Sequence, residues 1–115
     1  SNRDLRNFSE KNIKMIFMTL LMGNNAYFVN SERETREGYA DLLLIPTKLN
    51  PGKENFLIEL KYLKVGEKSR LEAEKTKAIE QVTRYREELA KDGLQCKAFA
   101  VLFIGKTEYT VQEIN

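Results

Sequence analysis

The sequence predicts an α/β domain. The expected architecture is three-layer α/β/α, with a mixed central β-sheet flanked by helices in the order αβββαββ. Three observations predict it. Two short apolar stretches, 39–46 and 56–63, are rich in branched and aromatic residues and flank Asn50-Pro51-Gly52, a turn signal. A long amphipathic stretch over 67–90 follows them, and the apolar run KAFAVLFI at 97–104 follows that. A hairpin that continues through a helical crossover into another strand requires both antiparallel and parallel pairing.

Residues 4–22 read as the first helix, because Phe8, Ile13, Ile16, Phe17, Leu20 and Leu21 recur at helical spacing. Asp4 or Ser9 caps its start, and Gly23 with Asn24-Asn25 ends it. A first strand is expected over 26–34, around Tyr27, Phe28 and Val29, before the polar run 31–38 turns the chain. Pro46 closes the second strand, since it cannot donate to a ladder. Lys64-Val65-Gly66 breaks the third. The second helix carries an apolar stripe of Leu71, Ala78, Ile79, Val82, Tyr85 and Leu89. Glu72, Glu74, Lys75, Lys77, Glu80, Arg84, Arg86 and Glu87 read as its solvated faces, and Asp92-Gly93 as its stop. Gly105-Lys106 signals a tight turn between the fourth strand and a short alternating fifth over 108–114.

With 115 residues the chain is sized for a single domain with a real core. Its composition, 42% hydrophobic and 31% charged, is ordinary for a globular protein. A net charge of +2 neither demands nor excludes a nucleic-acid partner. Cys96 is the single cysteine and reads as a bystander; no internal disulfide can form, which fits a reducing, cytoplasmic setting. No apolar run approaches the roughly 20 residues of a membrane span, and no signal-peptide pattern is present.

The chain contains no His. A Ser-His-Asp or Cys-His mechanism within it is therefore excluded, and a zinc site is not expected. A Gly-rich phosphate loop is lacking as well. Any metal chemistry must rest on carboxylates, hence Mg²⁺ or Mn²⁺.

Two anomalies point to a site. Side chains alternate across a strand, so Phe56, Ile58, Leu60 and Tyr62 share one face of the third strand, and Leu57, Glu59, Lys61 and Leu63 the other. Both faces are largely apolar, as in a strand covered on both sides, yet Glu59 and Lys61 sit within one of them. Buried charges are costly unless paired, hydrogen-bonded or metal-bound. Asp41 is the lone charge of the second strand, on the face of Tyr39, Leu43 and Ile45. A hairpin between the two strands would bring Asp41 beside Glu59 and Lys61. A structural ion pair on the sheet is the plain alternative for Glu59 and Lys61, and a turn-capping residue the alternative for Asp41.

Asp41 followed by Glu59-Leu60-Lys61 resembles the D…(D/E)-x-K signature of the PD-(D/E)xK nuclease superfamily, which has a restriction-endonuclease-like core. Gln81-Val-Thr-Arg-Tyr85 resembles the Q-x-x-x-Y element of its RecB-type members. EKNIKMIFMTLL, GYADLLLIP and FLIELKYLK look like the small nuclease-like domain at the C-terminus of many bacterial AAA-ATPase-like proteins. The resemblance covers roughly residues 10–104. Ala40 stands where the name-giving Pro would be, and it can keep the same extended backbone.

The resemblance implies a single nuclease-like domain over residues 1–115, a C-terminal piece of a larger ATPase-containing protein. It implies a Mg²⁺- or Mn²⁺-dependent hydrolase acting on DNA ahead of RNA, and a homodimer. Asp41, Glu59 and the backbone carbonyl of Leu60 would hold the metal, joined by Glu10. Lys61 would orient water or neutralise developing charge. Gln81 would position water or substrate, with Tyr85 supporting it. Plainer readings stand beside these: Glu10 is one helical turn from Lys14 and pairs with it on the surface, and Gln81 and Tyr85 fit ordinary helix patterning. The competing function is a catalytically silent module that binds nucleic acid or a protein in the service of an attached ATPase.

Overall fold

The computed structural model describes residues 26–34 and 39–115. Five strands form one sheet in the order β1-β2-β3-β4-β5: β1 (Tyr27–Glu34), β2 (Tyr39–Pro46), β3 (Asn55–Leu63), β4 (Cys96–Ile104) and β5 (Glu108–Ile114). β3 runs parallel to β4, and the other neighbours are antiparallel. This is the mixed sheet that a hairpin plus a helical crossover dictates. The crossover is α1 (Leu71–Lys91). The helix predicted over 4–22, and with it the third layer, lies outside the described residues.

The second predicted helix starts later than its charge pattern suggested. Residues Val65–Arg70 form a 3₁₀ helix, and α-helical geometry begins at Leu71. Gly66 costs the first turn backbone entropy, and Glu67 is occupied locally, its carboxylate accepting the Lys64 N–H at 2.9 Å. The other end follows the sequence. Gly93 takes φ +89°, its N–H donates to Ala90 O, and the Leu94 N–H donates to Leu89 O. That bond pattern is a Schellman stop, and Leu89 and Leu94 both pack against the core beneath it.

α1 lies on one face of the sheet. Val82 and Tyr85 pack with Leu43, Leu57 and Ala98, and Ala78 packs with Ala100 and Leu102. The opposite face gathers Leu42, Leu44, Leu60 and Val101. Alternation thus sends the odd-numbered residues of β2 and β3 toward the helix and the even-numbered ones away. Each fully buried Leu contributes about 1.5–3 kcal/mol of apolar transfer energy. Arg86 fixes the helix to the far edge of the sheet, donating to Ile114 O at 2.8 Å and Asn115 O at 2.9 Å. Among the described residues no helix is long and apolar enough to cross a membrane.

The β4–β5 turn is tied to the end of β3 by the Gly105 N–H, which donates to Leu63 O at 2.8 Å. Gly105 holds φ +60°, and a Cβ there would stand 2.7 Å from Val65 Cγ2. Gly105→Ala should therefore lower stability by about 1–2 kcal/mol, the cost of left-handed backbone for an L-residue. Urea unfolding of the variant checks this. Adding Val65→Ala, which removes the contact, should recover only the smaller share of the loss.

Candidate active site

Register places the site. Across the β2–β3 hairpin Asp41 stands directly opposite Glu59, and Tyr39 opposite Lys61. Directly opposed residues on one face have Cβ atoms about 4.5–5.5 Å apart, so the two carboxylates share one patch of sheet. Lys61 follows two residues on, on the same face. All three are buried, with relative exposures of 4% for Asp41, 1% for Glu59 and 7% for Lys61. Both carboxylate oxygens of Glu59 and Oδ1 of Asp41 are closed off from solvent.

The helix stands over them. On β4, Ala98, Ala100 and Leu102 lie level with Leu57, Glu59 and Lys61. One helical turn rises about 5.4 Å and two strand residues about 6.6 Å, so helix turns and same-face strand positions advance nearly together. Val82 and Tyr85 cover the Leu57 level, and Ala78 the Ala100 and Leu102 levels. Gln81 falls between them, half-buried, near the level of Glu59. Arg86 turns one flank of α1 toward β5, which leaves the other flank, carrying Gln81, toward β3 and β2. Tyr85 sits one level away from the carboxylates, in the apolar cluster with Leu43 and Leu57.

A family model for the PD-(D/E)XK nuclease superfamily matches residues 8–113. The chain belongs to the PD-(D/E)XK nuclease superfamily. A search of curated proteins finds no match. Membership agrees with the mixed sheet and its α/β class, and it makes a nuclease-type hydrolase the expected kind of activity.

In this superfamily member the donor set can be tested for a divalent ion. Two opposed carboxylates offer hard oxygen ligands, and the chain has no His to favour a softer metal. Leu60 is laddered on both sides, to Ala40 and to Val101. A carbonyl has two lone pairs, so a ladder bond still leaves one for a cation. These donor types are the kind that suit a hard divalent cation such as Mg²⁺ or Mn²⁺. Among the described residues, no three acidic, His or Cys side chains cluster closely enough to form a metal site on their own. Glu10, expected to join the set, lies outside the described residues.

Two residues read as solvated depart from that reading: Arg86, half-buried and bonded to the end of β5, and, further, Glu74. The interspersed charges of the helix assign Glu74 to a solvated face, whereas it is 3% exposed. Arg70 Nη2 donates to Glu74 Oε1 at 2.8 Å, and Lys77 Nζ lies 3.9 Å from the same oxygen. Its helical offset from Ala78 and Tyr85, four and eleven residues, was the available signal, since both belong to the apolar stripe. Cys96 is half-buried, and burial pushes its thiol up, with Arg86 opposing. A thiol held protonated is a poor nucleophile, in line with a bystander.

The approach of helix to sheet depends on small residues. Ala78, Ala98 and Ala100 are fully buried, and Ala100 is the neighbour of Glu59 on β4. Ala100→Leu should overpack this contact and destabilise the domain by about 1–3 kcal/mol, read as a lowered urea midpoint. A Leu at half-exposed Thr83, a position not facing the sheet core, should change stability far less.

Proposed function

We propose that this chain is a Mg²⁺-dependent nuclease domain that hydrolyses phosphodiester bonds, DNA ahead of RNA. The observation that carries the reading is the register of Asp41 against Glu59, with Lys61 two residues on, buried together beneath α1. A bystander ion pair does not require a second carboxylate in direct register. Two buried carboxylates repel, and the arrangement is stabilised by cations: Lys61 from the chain and a divalent ion from solution.

Asp41 and Glu59, with the Leu60 carbonyl, would hold the ion, and Glu10 would complete the set. When bound, a divalent ion polarises a phosphoryl oxygen and acidifies water. The chain's own groups do the rest. Lys61 places a fixed positive charge beside the scissile phosphate, where negative charge grows in the transition state. Gln81, with both a donor and an acceptor on its amide, orients the attacking water or a phosphate oxygen. Tyr85 fixes the helix turn that carries Gln81 by packing on Leu43 and Leu57. The proposal extends to an attached ATPase and a homodimer, supported by resemblance, and to a cytoplasmic setting, supported by the single cysteine. The alternative of a silent binding module is less favoured because Asp41, Glu59 and Lys61 are all retained.

Two measurements test the reading. Titration with Mn²⁺ or Mg²⁺ should show binding by calorimetry and raise the melting temperature; a ligand at 100 times its Kd stabilises by about 2.7 kcal/mol. Asp41→Asn and Glu59→Gln should each abolish both effects while leaving a folded domain. On single- and double-stranded substrates, Lys61→Met should keep divalent binding and lose cleavage by roughly 100-fold or more. Wild-type protein that binds no divalent ion at millimolar concentration, with or without nucleic acid, would sink the proposal.

A further inference from the structure

The first strand carries an irregularity that the proposed chemistry does not use. Along β1, Asn30 stands opposite Leu43 and Ser31 opposite Leu42. Leu42 belongs to the face turned away from α1. Regular pairing would next set Glu32 opposite Asp41. The register shifts instead between Ser31 and Arg33, so that Arg33 stands opposite Asp41 and Glu34 opposite Ala40. Glu32 is the extra residue of a β-bulge. The insertion changes which residue occupies the Asp41 level, and it replaces an acid there by a base. Positions 33, 41 and 59 make one row across three strands. Neighbouring strands lie about 4.8 Å apart, so the row is roughly 10 Å long.

Charge gives the exchange its consequence. With Glu32 at that level, three acids would occupy one row, and like charges directly opposite each other destabilise a sheet. A base at position 33 removes that conflict and also changes what the site attracts. On the nuclease reading, Asp41, Glu59 and Glu10 together cancel Lys61 and a divalent ion, which leaves a phosphodiester no net attraction. Arg33 restores a positive balance. The place suits a polymer. α1 makes its main contacts with β3 and β4, and β1 is the outer strand beyond β2. A nucleic-acid chain is too wide to pass beneath the helix, and the row meets the rim of the sheet at β1. Arg is fitted to such a position, because its planar fork grips two oxygens of one phosphate. A bulge also blunts an edge strand against unwanted pairing, but that role needs no particular residue at position 33.

We propose that Arg33, set opposite Asp41 by the β1 bulge, is a substrate-binding residue that takes a backbone phosphate of the nucleic acid. The proposal rests on the nuclease reading for the class of substrate, and its test reads binding rather than cleavage. Labelled single- and double-stranded DNA oligonucleotides are titrated with the protein in Ca²⁺, a hard cation for the same oxygen donors, and followed by fluorescence anisotropy across a salt series. Arg33→Gln should weaken binding roughly tenfold. It should also lower the salt slope by about 0.7 on single strands or 0.9 on duplex, the loss of one phosphate contact. Arg84→Gln removes the same charge from an exposed position on α1 and should stay near wild type. Exchanging the pair, Glu32→Arg with Arg33→Glu, keeps the net charge but sets an acid opposite Asp41; it should weaken binding at least as much as Arg33→Gln. Arg33→Lys, which keeps the charge without the fork, should retain part of the affinity. Wild type that binds no DNA overturns the proposal, as does equal affinity and salt slope in wild type, Arg33→Gln and the exchanged pair, or a loss that Arg84→Gln matches. Tighter Mn²⁺ binding in Arg33→Gln with DNA binding unchanged would also overturn it, since the base would then only neutralise Asp41. Arg33-dependent binding in a protein that cleaves nothing would uphold the contact and count against the nuclease reading alone.

Discussion

Everything in this fold that bears on chemistry depends on one constraint: two carboxylates must stay opposed on the covered face of an otherwise apolar hairpin. Side chains alternate with a period of two, so a one-residue slip of β2 against β3 would turn Asp41 to the other face and put Leu42 in its place. The slip would also send Leu43 away from Val82 and Tyr85. The apolar neighbours therefore fix the register that the charges could not fix for themselves, since their mutual repulsion favours separation. Leu43 and Leu57, the next pair on the same face after Asp41 and Glu59, are 4% and 0% exposed. Burying such residues is worth several times what a small register error could save.

The rest of the sheet is arranged to cover that patch without filling it. A parallel β3–β4 pair requires a crossover, and the crossover helix has to lie on a face of the sheet. Ala98 and Ala100 on β4 and Ala78 on α1 bring helix and strands close with little side-chain bulk between them. Larger apolar residues at those positions would push the helix away from Glu59. The Schellman stop at Gly93 and the Arg86 bonds to the end of β5 set the length and rotation of the helix. Rotation decides which flank looks toward β2, so a contact some distance from the carboxylates governs what faces them. In this sense the geometry of Gln81 and Glu74 is inherited from the opposite edge of the sheet.

Much of this was legible in the sequence. The strands of the hairpin could be read because charge is rare in them: Asp41, Glu59 and Lys61 stand out against Leu, Ile, Phe and Tyr, and alternation assigns each to a face. The Asn-Pro-Gly turn made antiparallel pairing the simplest outcome, and the register bears out their meeting. The helix was harder. In α1 acidic and basic residues recur throughout, so a single buried Glu does not stand out against its exposed neighbours. Glu74 is distinguished only by its angle around the helix, and a charge at the edge of an apolar stripe ordinarily snorkels outward. Burial of Glu74 becomes intelligible once Arg70 is seen to reach it, and that contact depends on a 3₁₀ turn that propensity alone does not separate from the helix following it.

The absence of His gives the site its character. His is the side chain whose charge changes nearest neutral pH, and without it the chain has no ready neutral base. On the proposed nuclease reading, work on a phosphodiester is left to placed charge rather than to a strongly basic side chain. Charge is effective in proportion to how little water surrounds it and how firmly it is held. Burial of Asp41, Glu59 and Lys61 supplies the first condition. The second is harder for lysine, a flexible four-carbon stem ending in a freely rotating ammonium. An Arg could have been locked by its own planar fork; a Lys has to be locked by its surroundings.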